Sequence, residues 1–371
     1  MIIITVLVFL LILTVLVLIH EAGHFFVAKK LGIKVEEFGV GLPPRAFGIK
    51  RGETLYSINW LPIGGFVKLY GEDEAGGGSI KLKSGKQPSG DLSRAFYARP
   101  IWQRALVIVA GVFMNFLLSV VIITYFFGIA GVQTPGDKVI VTQVVKNSPA
   151  DTAGLKKDDV ILSISGAKIS DPSQIISISR KHLGEKMKLQ IERGNELKTV
   201  EVTPRKNYPS DEGPMGVGIS PNVTITKYPL WQAPFVGLME ALKYSWLILA
   251  GLFGVVSGLL TQAQIPKGVA GPVGIAQLTG QFIAVGPLAV LSFVSLLSLN
   301  LAILNVLPIP ALDGGRLFFI LIEGVVGKKV SRRFESKAHA IGMAVLLALI
   351  LIITLSDVIR LITGQPILPK Q

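Results

Sequence analysis

His20-Glu21-Ala22-Gly23-His24 places two imidazoles four residues apart with a carboxylate between them. On a helix, positions i and i+4 share a face, so both rings can reach one metal ion. Glu21 projects beside them, where it can take a proton from an attacking water. The chain holds only four histidines, so this spacing is rare by chance. A pair of satisfied histidines at a helix end is the bland alternative. It loses weight because three ionisable groups in an apolar stretch are expensive and functional by default. Cysteine is absent, which excludes thiolate ligands and disulfides and leaves histidine and carboxylate to hold a metal.

A catalytic zinc needs a third protein ligand and an open position. Asp313 is the candidate, in Asn305-Val306-Leu307-Pro308-Ile309-Pro310-Ala311-Leu312-Asp313-Gly314-Gly315, a few residues before a basic loop. By helical rise His20 and His24 lie about 14 and 8 Å short of Lys29. The depths match if both helices run outward to inward. Two prolines and two glycines disrupt the helix there, freeing backbone that only protein or a water-filled cavity tolerates. An aspartate capping a helix that begins near Gly314 is the alternative. His182, in a polar stretch, and His339, at the start of the last apolar run, are poorer ligands, more simply read as solvated.

The elements that must position these groups belong to a chain built for lipid. Half of its 371 residues are hydrophobic and 16% are charged, against about a quarter charged in soluble domains, and the mean hydropathy is +0.58. Four segments are long and apolar enough to span: 2–28, 103–127, 283–307 and 339–362. The first has no basic n-region before it and no small-residue cleavage site after it, so it reads as a retained span. Residues 246–260 form a shorter run with three glycines, better suited to an interfacial or re-entrant element than to a span. The net charge of +13 is dispersed, with no basic helix interleaved with aromatics, so nucleic acid is not expected as a partner. Lys29, Lys30, Lys34, Arg94, Arg99 and Arg104 flank one loop, and Arg316, Lys328, Lys329, Arg332, Arg333 and Lys337 fill another. Both loops belong inside by the positive-inside rule. The tail, with only Arg360 and Lys370, belongs outside, as do the N-terminus and the polar stretch 133–225. Residues 71–93, rich in Gly, Ser and Lys, read as a flexible loop.

H-E-x-x-H in the first span together with N-x-x-P-x-P-x-L-D-G in the third resembles the site-2 protease family of intramembrane zinc proteases, in its bacterial regulator-of-sigma-factor branch. The resemblance covers nearly the whole chain. It implies that His20, His24 and Asp313 bind Zn2+, that Glu21 is the catalytic base, and that Asn305 and Asn300 face the substrate backbone. Ala110-Gly111-Val112-Phe113-Met114-Asn115 is similar to a G-P-x-x-N signature of the second span, with Val112 in place of the proline, and makes Asn115 a further substrate-facing candidate. Gly271-Pro272-Val273-Gly274-Ile275 resembles a G-P-x-G-I motif before the third span. Tyr56–Trp60 and Gly65–Leu69 resemble a membrane-dipping β-hairpin, whose edge a substrate could join as a strand once its own helix unwinds. Asn147-Ser148-Pro149-Ala150 and Ala153–Ile161 are similar to a PDZ domain, which implies a peptide C-terminus as its ligand; Gly216–Ile219 is either its carboxylate loop or a strand with a glycine bulge.

The expected architecture is an α-helical polytopic membrane protein of four transmembrane helices, with a membrane-associated β-hairpin and one extracytoplasmic PDZ (α+β) domain. Its parts are 1–130, 131–228 as the PDZ domain, and 229–371. The expected location is the bacterial cytoplasmic membrane. The expected activity is regulated intramembrane proteolysis: hydrolysis of a peptide bond in the transmembrane segment of a single-span protein, such as an anti-sigma factor or signal-peptide remnant, after a first ectodomain cut. A non-catalytic PDZ receptor with a structural metal site is the rival. Intact Glu21 argues against it, since a structural site has no use for a base beside the metal.

Overall fold

In the computed structural model, residues 2–72, 91–209, 212–262 and 269–363 are described. Most of the expected flexible loop, including Gly76–Ser79, and the tail with Lys370 lie outside them. The chain divides into two units, residues 1–125 with 230–371, and residues 126–229.

The first unit opens with α1 (Ile2–Lys30), apolar on every side yet burying only Ile12, Leu16, His20, Gly23, His24 and Ala28. Steps of three and four make that one narrow stripe, and the remaining apolar surface needs lipid as its solvent. β1 (Val35–Arg51) and β2 (Thr54–Leu69) follow. Both stretches expected in the hairpin fall on β2; their partner, β1, is not evident in the sequence. Glu37–Val40 pairs with Leu55–Ile58 on one side and with Gly65–Lys68 on the other, while Arg45–Arg51 pairs with Thr54–Asn59. Gly65–Leu69 is therefore an outer strand. Pro62–Val67 lies along α1, where Thr14 Oγ1 donates to Pro62 O at 3.1 Å and Val67 N–H to Glu21 at 2.9 Å.

α2 (Ile101–Tyr125) runs unbroken through Val112. Its polar stripe meets the later helices: Ser119 and Ser295 hydroxyls lie 2.9 Å apart, and Ser298 Oγ donates to Asn115 O at 2.8 Å. Such hydrogen bonds between small polar residues hold helices together where lipid supplies no hydrophobic drive. At one end of α1 a core of Ala28, Ile33, Val35, Leu69, Phe96 and Val107 joins it to the sheet and α2.

The second unit carries β3 (Val132–Val144), α3 (Pro149–Thr152), β4 (Val160–Ile164), β5 (Ala167–Lys168), α4 (Pro172–Lys181), β6 (Met187–Arg193), β7 (Glu196–Val202) and β8 (Val217–Thr226). The sheet order is β7-β6-β4-β3-β8, with β5 on β4. Alternate residues Met187, Leu189 and Ile191 enter its core, as the period of two requires. Val217–Ile219 opens β8, Gly216 precedes it at φ 68°, and the register shift beside them falls in β3 between Val141 and Gln143. Asp159 is fully buried against Arg193, whose Nε donates to it at 2.7 Å.

Back in the first unit come α5 (Ala233–Gln262), α6 (Pro272–Val285), α7 (Pro287–Val306), α8 (Asp313–Val326) and α9 (Arg332–Thr363). Two expectations change here. The run 246–260 is not a short element but the end of a 30-residue helix, so among the described residues five helices, not four, are long and apolar enough to cross a membrane. The apolar stretch of α5 includes Glu240 and Lys243, which pair with each other at 3.4 Å. The third expected span begins at Pro287 rather than 283, because Gly286, at φ 133°, breaks the helix and Pro287 starts a new one.

Candidate metal centre

α1 presents His20 and His24 one turn apart, and Asp313 arrives at the first position of α8. The local chain explains the aspartate's placement. Leu307 leaves α7 extended, and Ala311 turns the backbone at φ 86°. Gly314 and Gly315 then lie on the backbone of Val306–Pro310 so closely that a Cβ on either would overlap it. The D-G-G sequence is what lets the first turn of α8 fold onto the loop before it.

The donors converge. His20 Nε2 is 2.8 Å and His24 Nε2 3.3 Å from Asp313 Oδ2, and the two Nε2 atoms are 3.2 Å apart. Tetrahedral zinc with bonds of about 2.0–2.1 Å sets its ligands about 3.3 Å apart, and two imidazoles with one carboxylate are among its usual catalytic donors. The set fits zinc. His24 Nδ1 lies 2.8 Å from the Val107 carbonyl. A carbonyl only accepts, so Nδ1 carries the proton and Nε2 is bare for a metal. Gly111 faces both rings, and a Cβ there would overlap them.

Glu21 stands beside these donors and accepts from Val67 N–H. It opens on a cavity of about 260 Å³ lined also by His24, Val67, Glu72, Asp313 and Arg316. Arg316, one turn beyond Asp313, donates to Glu72 at 2.7 Å.

The other expected site residues divide. Asn305 is half-buried, and its side chain makes no hydrogen bond to another described residue. Asn300 spends its amide on Leu296 O of its own helix, at 3.1 Å. Asn115 is fully buried, with its amide nitrogen 3.4 Å from His20 Nδ1. His339 is corrected, being buried and accepting from Ala311 N–H at 2.9 Å, so it holds the loop that delivers Asp313. His182 is exposed and pairs with Glu185. Sequence reasoning missed the Val107 carbonyl, the Val67 amide and the Arg316–Glu72 pair. Backbone groups carry no residue signature, and Arg316 looked like one more topology charge.

A model of peptidase family M50 matches residues 8–349. Over 347 residues the chain is 35% identical to a putative zinc metalloprotease of Clostridium perfringens, spanning 93% of this chain and 95% of that one. Over 427 residues it is 31% identical to the regulator of sigma-W protease RasP of Bacillus subtilis, spanning 96% and 99%. Among solved structures, the PDZ domain of an SdrC-like protein from Listeria monocytogenes is similar to 24% of this chain and 93% of its own, at 21% identity and a TM-score of 0.21.

Proposed function

Because the chain belongs to peptidase family M50 and is an intramembrane zinc metalloprotease, we propose that His20, His24 and Asp313 hold its zinc and that Glu21 is its catalytic base. The meeting of two imidazoles and a carboxylate within 3.3 Å of one another, with a second carboxylate beside them, carries this reading. Zinc supplies Lewis-acid polarisation of the scissile carbonyl and of the attacking water. Glu21, steadied by Val67 N–H, takes the proton of that water as its oxygen attacks the carbonyl carbon. It then hands the proton to the amide nitrogen as the C–N bond breaks, leaving a carboxylate and an amine.

The substrate is the transmembrane segment of another membrane protein. A helical segment hides its amides in its own hydrogen bonds and must unwind before cleavage. The outer edge of Gly65–Leu69 is suited to receive it: Val67 N–H points away from β1 toward Glu21, so a strand added there would pass the base. Leu42, Phe47, Ile58, Trp60 and Leu61 are exposed on the same sheet, apolar enough to lie in lipid. Asn305, with its amide unengaged, is the better of the two asparagines for gripping substrate backbone.

Four spans remain our reading, with α5 lying at the interface. The start of α5 meets the outer end of α2, where Gly237 packs on Thr124. α6 begins against Asp357, near the outer end of α9, and reaches Thr5 at the outer end of α1. The N-terminus, the 126–229 unit as a PDZ domain, and the C-terminus are then extracytoplasmic in a bacterial cytoplasmic membrane. The name of the Bacillus subtilis relative, a regulator of a sigma factor, supports an anti-sigma factor as substrate in a stress response; signal-peptide remnants are a second proposed class, and either would be cut after a first ectodomain cleavage.

Glu21→Gln tests the assignment. It should keep zinc and lower cleavage of a membrane-inserted reporter by about 10²–10⁴-fold, while Asp313→Asn weakens both. Membrane-fragment proteomics of wild type against Glu21→Gln should identify the substrates as stubs that persist. Full turnover by the glutamine variant would sink the mechanism.

A further inference from the structure

α2 does more for the metal centre than pack against it. Val107, Gly111 and Asn115 stand at i, i+4 and i+8, on one face. The Val107 carbonyl fixes the tautomer of His24, and Gly111 leaves room for both rings. Asn115 reaches the other ring: its Nδ2 lies 3.4 Å from His20 Nδ1, while its Oδ1 has no partner among the described residues. Ser298 holds the Asn115 carbonyl, so the backbone there is fixed to α7.

The amide's two ends have opposite consequences. With Nδ2 toward the ring, Nδ1 must accept, and the ring proton is forced onto Nε2, where it points at Asp313 Oδ2 2.8 Å away. That arrangement keeps the donors together but denies Nε2 to a metal. The contact is also at the long limit for a hydrogen bond. A half-turn of the amide, which changes no heavy-atom envelope, brings Oδ1 to Nδ1. The buried oxygen takes the contact that the amide nitrogen gives up, the proton moves to Nδ1, and Nε2 becomes a ligand.

We propose that Asn115 is the positioning residue of His20: in the metal-binding form its Oδ1 accepts the Nδ1–H, as the Val107 carbonyl does for His24, so that one face of α2 sets both tautomers. The proposal rests on the zinc-site reading above. It assigns Asn115 to the metal and not to the substrate.

The test is zinc affinity of the full chain in detergent, by competition with a chromophoric chelator. Asn115→Leu, which keeps the volume and removes the acceptor, should weaken zinc by about 10–100-fold. Asn115→Asp, which offers an oxygen in either orientation, should stay close to wild type. Ser298→Ala, which loosens the α2–α7 tie and spares the amide, should change affinity little. Should the leucine variant fail to insert, ¹⁵N NMR of ring-labelled histidine in zinc-loaded wild type decides alone: a protonated Nδ1 on His20 is expected. Wild-type affinity in the leucine variant, an aspartate variant as weak as the leucine one, or a bare Nδ1 on His20 would each overturn the proposal. Failure of the site itself looks different, since His24→Ala would then leave zinc binding unchanged.

Discussion

Asp159 shows how one side chain makes the 126–229 unit sensitive to acid. Burial pushes its carboxyl up, but the Arg193 guanidinium and the Lys156 amide outweigh that and hold it below the usual carboxylate range. A group depressed in the folded state contributes stability that is fully present above its unfolded value, about 3.9. That contribution is lost as pH falls through the lower folded value. Amide exchange in β4 and β6, corrected for intrinsic rate, should therefore be flat from neutral pH to about pH 5 and accelerate below about pH 4. Asp159→Asn should show the accelerated exchange at neutral pH; unchanged protection in that variant would remove the pair from the account. Residue chemistry was legible at His20, Glu21, His24 and Asp313 because type and spacing alone define the donors. It was not legible at Asn115 or His339. Sequence gives the face of a helix on which a residue stands, but not which neighbour that face meets.

At the scale of elements, close approach is bought with glycine. A methyl group at Gly111 would favour the α2 helix itself by about 1 kcal/mol, yet it would intrude on both imidazoles. Gly111→Ala should thus leave insertion intact while lowering zinc affinity by at least about tenfold, measured by the same chelator competition. Equal affinity would mean that the rings sit farther from α2 than described. The spans were largely readable, since apolar length is a direct signal of a lipid environment. The errors lay where that signal stops being a measure of helix length. α5 continues beyond the run 246–260 to take in Glu240 and Lys243, and the third span is divided by one glycine and one proline. β1 was invisible because Gly39, Gly41, Pro43 and Pro44 interrupt any strand pattern, while its pairing with two parts of β2 is a tertiary fact.

Over the whole molecule, α9 ties down the chain at two places, the loop before Asp313 and the head of α6. His339 holds the Ala311 amide just before the ligand. Asp357, fully buried, accepts from Gly271 and Gly274 N–H at the head of α6, and Arg360 donates to Val269 O. α9 is mostly exposed and supplies none of the proposed ligands. Its consequence concerns the order in which the chain is made. Both histidines and the base leave the ribosome well before the aspartate, and the two ties follow it. A hydrolase free in a crowded membrane is a hazard to every unfinished neighbour, and here a helix made after all the proposed ligands would complete the site. A chain ended after Val330 should insert yet bind zinc at least about tenfold more weakly and cleave no reporter, with function returning when residues 331–371 are supplied as a separate polypeptide. Wild-type zinc affinity in the shortened chain would show that the centre is finished before synthesis is.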